Sequence, residues 1–189
     1  MQITTIMGSP RPKGNTATVL KKFEDGLNGR HTLARINITD HEIHGCLGCY
    51  QCQAKRHEPG CVQKDDVPEL IDKMLQADAL VLATPLYGWS FSGQLKLFLD
   101  RQFCLTKFGD PDRPPHSLVA GKTMALLVTC GGGVEENADL IQTLFDRFNT
   151  AAQTRSAGSY IVPGCTSPDQ LPTNAEAIAK EMAAVVTRA

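Results

Sequence analysis

Residues 8–16 have the sequence Gly8-Ser9-Pro10-Arg11-Pro12-Lys13-Gly14-Asn15-Thr16. This loop follows the apolar run 3–7, which is typical of a buried strand, and precedes an amphipathic pattern over 17–23, which predicts a helix. Glycines let backbone amides turn towards an anion, and a helix N-terminus adds the positive end of its dipole. The sequence therefore predicts a phosphate-binding loop between the first strand and the first helix.

The spacing within this loop restricts the kind of phosphate ligand. A triphosphate-binding loop needs four residues between its glycines and a lysine after the second. Here five residues separate Gly8 from Gly14, and Asn15 stands where that lysine would be. The Gly-x-Gly-x-x-Gly dinucleotide fingerprint is absent as well. A single phosphate remains as the ligand, and the alternative is an ordinary turn in which Asn15 or Thr16 caps the helix. The candidate phosphate-binding residues are Ser9, Arg11, Lys13, Gly14, Asn15 and Thr16.

The composition predicts one globular domain over residues 1–189, because 42% of the residues are apolar and 21% are charged. The net charge of −1 gives no support for nucleic acid or an anionic membrane as a partner. The apolar runs are too short to span a bilayer, and the first strand begins without a basic and apolar leader. We therefore expect a cytoplasmic protein. Seven cysteines are too few for a secreted disulfide scaffold of this length.

Five predicted strands alternate with helices along the chain. The strands are expected at 3–7, 31–38, 79–83, 123–129 and 158–163, and the helices at 17–23, 67–75, 92–103, 135–152 and 174–187, with an irregular segment at 107–120. This alternation predicts an α/β three-layer sandwich, in which a five-stranded parallel sheet lies between two layers of helices. In the doubly wound strand order 2-1-3-4-5, strands 1, 3 and 4 are neighbours. The loops that follow these three strands would then meet at one edge of the sheet.

Two further loops have features of a binding site. After strand 3, aromatic residues at 87, 89 and 91 surround Gly88, which offers aromatic walls and a close backbone approach to a planar ligand. The alternative is that these rings cover the end of the sheet or a subunit interface. After strand 4, residues 131–133 are three consecutive glycines. Such a run is entropically costly, so we expect its backbone to approach a ligand.

Residues 46–61 carry a second chemical pattern, Cys46-x2-Cys49-x2-Cys52-x8-Cys61, in a cysteine-rich insertion at about 41–64. Compact Cys-x2-Cys-x2-Cys spacing suits a cubane iron–sulfur cluster, because one short loop can wrap several irons. The same thiols could hold zinc or remain free. The spacing leaves these three alternatives open.

Other chemically active side chains have structural interpretations. The scattered cysteines Cys104, Cys130 and Cys165 are interpreted as buried thiols. The acidic pair at 65–66 precedes a predicted helix and the pair at 135–136 opens another, and negative charge is favourable at a helix N-terminus. The pair at 100–101 is interpreted as a helix end.

Six motifs occur in one order over about residues 1–165: the loop 8–16, Cys46-Leu-Gly-Cys49, Cys61-Val-Gln-Lys-Asp-Asp66, Ala77-Asp-Ala79, Pro85-Leu-Tyr87 and Gln94-Leu-Lys-Leu-Phe-Leu-Asp-Arg101. Together they resemble the flavodoxin-like NAD(P)H-dependent FMN reductases, in the branch that includes the iron–sulfur flavoproteins. The eight-residue gap before Cys61 is longer than is usual in the iron–sulfur branch.

The resemblance implies a flavodoxin-like fold that binds FMN non-covalently. The phosphate would be held by Ser9, Arg11, Asn15 and Thr16. The flavin ring would lie between two loops, whose residues are Pro85, Leu86, Tyr87, Gly88, Trp89, Thr129, Cys130, Gly131 and Gly132. A homodimer or homotetramer with FMN near the subunit interface is also implied.

The activity implied by the resemblance is electron transfer from NAD(P)H through FMN to a quinone, a flavin or another small-molecule or protein acceptor. Tyr87 and Trp89 would shape the nicotinamide or acceptor pocket, and no acid or base is assigned, since a flavin needs mainly orientation and backbone hydrogen bonds. Two alternatives stay open. One is an iron–sulfur flavoprotein that carries electrons with a 4Fe-4S cluster on Cys46, Cys49, Cys52 and Cys61. The other is a non-enzymatic module in which these four cysteines hold a structural zinc.

Overall fold

The computed structural model describes residues 1–27, 29–108, 114–167 and 171–188. The strands are β1 (Gln2–Met7), β2 (Thr32–Asn37), β3 (Ala79–Pro85), β4 (Thr106–Lys107), β5 (His116–Ser117), β6 (Thr123–Thr129) and β7 (Arg155–Val162). The helices are α1 (Asn15–Gly26), α2 (Val67–Gln76), α3 (Gly93–Arg101), α4 (Asp139–Ala152) and α5 (Ala175–Val186). No helix within these described ranges is long and apolar enough to cross a bilayer.

Five strands form a parallel sheet in the order β2-β1-β3-β6-β7. When only the strands of this sheet are counted, the order is 2-1-3-4-5, so the predicted flavodoxin-like architecture is confirmed. The short strands β4 and β5 pair antiparallel in a separate ribbon. This ribbon occupies part of the segment 107–120 that the sequence predicts to be irregular, and residues 109–113 of that segment lie outside the described residues.

Helices cover both faces of the sheet. On β3, Leu80 and Leu82 belong to a core cluster with α2, α3 and α4, while Val81 and Ala83 belong to a second cluster with α1 and α5. This alternation follows from the two-residue period of a strand. Every residue of β3 is buried. The continuous apolar run in the sequence is therefore explained by a central strand that is covered on both faces.

Two elements begin three or more residues away from their predicted starts. Helix α4 starts at Asp139 because the segment 134–138 forms turns and Glu136 has a φ of 52°, so the assignment of the acidic pair at 135–136 to a first helical turn is wrong. Strand β7 starts at Arg155 rather than at residue 158. Pairing of Arg155 with Thr123 of β6 extends this edge strand into a polar stretch that carries no strand signal of its own.

Candidate functional site

A cleft lies at the carboxyl ends of β1, β3 and β6, which are neighbours in the sheet. Its walls come from the three loops that the sequence analysis singled out, with one addition from the loop after β7. The lining residues are Ser9, Arg11, Gly14, Asn15, Thr16, Pro85, Leu86, Tyr87, Thr129, Cys130, Gly131 and Cys165. Four predicted cofactor-binding residues stand outside this set, namely Lys13, Gly88, Trp89 and Gly132. Gly132 lines an adjoining groove that shares Gly131 with the cleft.

Gly8 fixes the start of the phosphate loop against two other elements. Its amide donates a hydrogen bond to the Ala83 carbonyl of β3 (2.8 Å), and its own carbonyl accepts one from the Ser92 hydroxyl (2.6 Å) at the start of α3. A Cβ atom at this position would lie 2.5 Å from the Cβ of Leu95. Glycine is therefore required here because helix α3 packs directly on the backbone.

The N-terminus of α1 opens into the cleft. Gly14 is the N-cap residue of α1, and among the described residues no side chain forms a capping hydrogen bond with this helix end. The alternative that Asn15 or Thr16 caps the helix is therefore excluded. The Thr16 hydroxyl is instead 2.6 Å from the hydroxyl of Thr129. The first amides of a helix lack intrahelical partners and attract anions.

The side-chain oxygen of Asn15 is buried and has no hydrogen-bond partner among the described residues. A buried polar atom normally finds a partner. The hydroxyl groups of a ribityl phosphate are suitable donors for this oxygen, and the α1 amides and Arg11 are suitable for the phosphate. The residues of the cleft therefore fit the phosphate end of FMN.

Residues 87–90 form a tight turn beside the cleft. Tyr87 and Ser90 exchange two backbone hydrogen bonds of 3.1 Å, and the residues between them, Gly88 and Trp89, have φ values of 54° and 59°. Positive φ at both central positions is characteristic of a type I′ turn, and it is unfavourable for tryptophan. Trp89 is 60% exposed and Tyr87 is 43% exposed, so neither residue belongs to the core.

The glycines after β6 leave space next to the backbone. A Cβ atom at Gly131 or Gly133 would meet no described atom within 4 Å, whereas one at Gly132 would lie 2.8 Å from the side-chain nitrogen of Asn137. That nitrogen donates a hydrogen bond to the Gly133 carbonyl (2.7 Å). Asn137, which the sequence analysis did not identify, therefore holds this loop while the backbone at Gly131 stays open to a ligand.

The enclosed part of the cleft has a volume of about 120 Å³. Pockets that enclose whole drug-sized ligands have volumes of roughly 300–1,000 Å³. The enclosed part is therefore suited to the phosphate end of a nucleotide, and a flavin ring would lie over the open rim near Tyr87 and Gly131.

A second small cavity lies under the cysteine-rich insertion. Its lining includes all four cysteines of the motif, Cys46, Cys49, Cys52 and Cys61, and a fifth, Cys104. Three of the motif sulfurs accept N–H hydrogen bonds: Cys46 from the Gly48 amide (3.5 Å), Cys52 from the Gln53 side chain (3.7 Å) and Cys61 from Arg101 (3.3 Å). Among the described residues, no group of three or more His, Cys, Asp or Glu side chains is arranged to hold a metal ion.

A buried ion pair supports this cavity. The side chains of Arg101 and Asp65 are both fully buried and form a two-pronged contact, and Arg101 also donates to the His44 carbonyl (2.9 Å). Burial alone would raise the pKa of Asp65, but hydrogen bonds from Arg101 and from the His44 amide outweigh it, so the pKa of this carboxyl is lowered. The interpretation of Asp65 as only a helix-start residue, and of Arg101 as only a helix end, is therefore incomplete.

Lys107 is a second buried cation that holds the insertion. Its ammonium group donates hydrogen bonds to the carbonyls of Cys52 (2.9 Å) and Pro59 (3.0 Å), and burial lowers its pKa. The cysteine-rich insertion is thus anchored to the core by two cations.

Residues 1–166 match the protein family described as NADPH-dependent FMN reductase. The chain belongs to this family. A similar relative is an iron–sulfur flavoprotein of Methanocaldococcus jannaschii, 36% identical over 53% of this chain and 51% of its own length. Another is a Bacillus subtilis protein named as an NAD(P)H-dependent FMN-containing oxidoreductase, 30% identical over 70% of this chain and 67% of its own length. The chain spans about half the length of the iron–sulfur flavoproteins that it matches.

Solved structures of related reductases share the fold of this FMN reductase family member. The NAD(P)H:quinone oxidoreductase from Methanothermobacter marburgensis superposes with a TM-score of 0.74 at 19% identity, covering 100% of this chain and 99% of its own. The azoreductase AzrA superposes with a TM-score of 0.74 at 17% identity and covers 100% of both chains.

Sequence reasoning missed several side chains that shape the two cavities of this reductase-family protein. They are Asp65, Arg101, Cys104, Lys107, Asn137 and Cys165. For Arg101 a signal was present, since it stands three residues after Phe98 on the buried face of α3. Asn137 contacts only its own loop, at Gly132 and Gly133, and its sequence gives no signal of this hydrogen bond. For the remaining residues the deciding contacts are long-range and leave no local pattern.

Proposed function

We propose that this protein is an FMN-dependent oxidoreductase that takes electrons from NAD(P)H and passes them to a small acceptor such as a quinone or a flavin. The main support for this proposal is the cleft in which the loops after β1, β3 and β6 meet around the open N-terminus of α1. Bound FMN would supply the hydride transfer between the nicotinamide and the acceptor.

The residues of the cleft would bind and orient the cofactor. The α1 amides, Ser9, Asn15 and Thr16 would donate to or accept from the ribityl phosphate, while Arg11 would balance its charge. Tyr87 and the backbone at Gly131 would flank the ring over the rim, and a nicotinamide or acceptor would enter from the exposed side. We further propose a homodimer or homotetramer in which the exposed side chain of Trp89 lies near the subunit interface.

Replacement of Arg11 by alanine is expected to weaken FMN binding without changing the fold. Loss of a charge-assisted contact costs about 1.5–3 kcal/mol, which raises the Kd at least tenfold. Titration of the apoprotein with FMN, followed by quenching of flavin fluorescence, measures the effect. Lys13→Ala is the matched control, because Lys13 carries the same charge on the same loop but does not line the cleft. Equal Kd values for Arg11→Ala and wild type would show that Arg11 does not neutralise the phosphate.

The whole proposal is tested by reconstitution. The protein is expected to take up FMN stoichiometrically, and the flavin absorbance should bleach when NADH or NADPH is added anaerobically. Failure of the protein to take up FMN would exclude the proposal that it is a flavoprotein. If FMN binds but neither NADH nor NADPH reduces it, the proposed reductase activity is excluded, and the protein would instead be a flavin-containing electron carrier.

The N–H···S contacts at the second cavity favour a second candidate function, that of an iron–sulfur flavoprotein. N–H donors to sulfur stabilise thiolates, which are the ligands of iron–sulfur clusters. Cys46, Cys49, Cys52 and Cys61 would hold such a cluster, which would supply one-electron transfer. The exposed segment 46–49 would have to close over the cavity, because the described sulfurs are not already arranged as a metal site.

Anaerobic purification followed by iron, sulfide and zinc analysis distinguishes the alternatives for this segment. A cluster predicts iron and labile sulfide in the wild type and their loss in Cys49→Ser, whose side chain is exposed and whose replacement leaves the core intact. Zinc without sulfide would support the structural zinc site. Absence of both metals from anaerobically prepared protein would leave the four cysteines as free thiols.

A further inference from the structure

Two cysteines outside the motif lie side by side at the cleft. The Cys130 amide donates a hydrogen bond to the Val162 carbonyl (3.1 Å), and the Cys165 amide donates one to the Cys130 carbonyl (2.9 Å). The sulfur atoms of Cys130 and Cys165 lie 4.0 Å and 3.4 Å from the same oxygen, that of Val162. The adjacent strands β6 and β7 therefore bring together two thiols that the sequence shows as unrelated.

This pair has the setting that a disulfide requires. Both residues are free thiols, and both line the cleft. A disulfide needs the two Cβ atoms to be about 3.8 Å apart, so its partners must be neighbours in the fold, and the backbones of Cys130 and Cys165 are directly hydrogen-bonded to each other. Gly131 follows Cys130, and Gly164, with a φ of 75°, precedes Cys165. Glycine on each loop allows the small backbone adjustment that bond formation demands.

We propose that Cys130 and Cys165 form a disulfide when the protein meets hydrogen peroxide, and that this bond covalently joins the loops after β6 and β7 at the edge of the cleft. Cys165 is the more exposed thiol, so its thiolate attacks the peroxide, forming an S–O bond and breaking the O–O bond. The leaving hydroxide takes up a proton to give water, and Cys165 becomes a sulfenic acid. Cys130 then attacks this sulfur, the S–S bond forms, and the S–O bond breaks with release of a second water.

The environment of the pair determines the conditions of the experiment. Burial raises the pKa of the Cys130 thiol, and burial together with the neighbouring Cys130 raises the pKa of the Cys165 thiol. Because the thiolate is the reacting form, oxidation is best carried out at about pH 9.

Peptide mapping of the wild-type apoprotein tests the proposal directly. Trypsin cuts after Lys122, Arg147, Arg155 and Lys180, so Cys130 and Cys165 lie in the peptides 123–147 and 156–180, each with one cysteine. After treatment with hydrogen peroxide and alkylation of the remaining thiols, we expect these two peptides to appear joined, with two hydrogens lost. If both peptides instead carry only alkylated or singly oxidised cysteines, the proposal is overturned.

Serine variants identify the bond. Cys130→Ser and Cys165→Ser should each prevent formation of the joined peptide. Cys104→Ser is the control, because Cys104 lies in the other cavity, and this variant should still form the joined peptide. Survival of the joined mass in either of the first two variants would contradict the assignment. The wild-type map needs no variant, so misfolding of a serine variant does not affect the main test.

One consequence of the pair's location rests on the proposed function. FMN in the cleft would cover both thiols, so saturation with FMN is expected to slow formation of the joined peptide several-fold. Slower cross-linking supports the location of the pair in the FMN site. If the disulfide forms at an unchanged rate, the disulfide itself is supported, but the placement of the two thiols in the FMN site is contradicted.

Discussion

Replacement of Asp65 by asparagine is expected to lower the free energy of unfolding by about 3–5 kcal/mol, the usual cost of removing one partner of a buried ion pair. Asparagine keeps the size of the side chain and an acceptor for Arg101, but it leaves the guanidinium group without a compensating charge. Both side chains are fully buried, so water cannot take over the solvation of that charge. Urea denaturation followed by far-ultraviolet circular dichroism measures the change.

Asp66→Asn is the matched control for this prediction. Its carboxylate is partly exposed and lies 3.6 Å from a nitrogen of His41, and exposed pairs contribute under about 1 kcal/mol. In the double variant Asp65→Leu with Arg101→Met, much of the lost stability should return, because no unpaired charge remains. Equal stabilities of Asp65→Asn and Asp66→Asn would show that the Arg101 pair does not support the fold.

The same variant should change the acid dependence of stability. The pKa of Asp65 is lower in the folded protein than in the unfolded chain. Its contribution is therefore complete above the unfolded pKa of about 3.9 and disappears as the pH falls through the folded value. Wild type should lose stability over this acid range, and Asp65→Asn should lose less.

The order of the sheet and the position of the cleft could be predicted from the sequence because their signals are local. The apolar run of β3 shows a strand covered on both faces, and the glycines at 8, 14 and 131–133 show where the backbone must turn or stay open. Parallel strands with neighbouring carboxyl ends then place these loops together. None of these steps requires knowledge of a particular side-chain contact.

The support of the two cavities could not be predicted, since it depends on contacts between distant parts of the chain. Arg101 meets Asp65 across α2 and β3, and Lys107 reaches the carbonyl of Cys52. Cys165 joins the cleft only because β7 lies beside β6. The start of α4 was missed for a local reason, because the acidic pattern at 135–136 suits a helix while the backbone of Glu136 is left-handed.

Gly8→Val is expected to destabilise the protein by about 3 kcal/mol, at the upper end of the usual cost of overpacking, and to abolish high-affinity FMN binding. The first added carbon would lie 2.5 Å from the Cβ of Leu95. Leu95 is fully buried on α3, and its neighbour Ser92 is hydrogen-bonded to the Gly8 carbonyl. Either the helix or the phosphate loop must move, so stability and FMN affinity should fall together. Urea denaturation and an FMN titration measure the two effects.

Gly93→Ala provides the control, because a Cβ atom there would meet no described atom within 4 Å and alanine favours a helix. Truncation of Leu95 to alanine should not rescue Gly8→Val, since the clash is with the Cβ atom that alanine retains. This failure of rescue distinguishes a backbone-level contact from ordinary side-chain crowding, in which a smaller neighbour would restore stability. Recovery of FMN binding in the double variant would show that the tip of Leu95, and not the path of α3, limits the residue at position 8.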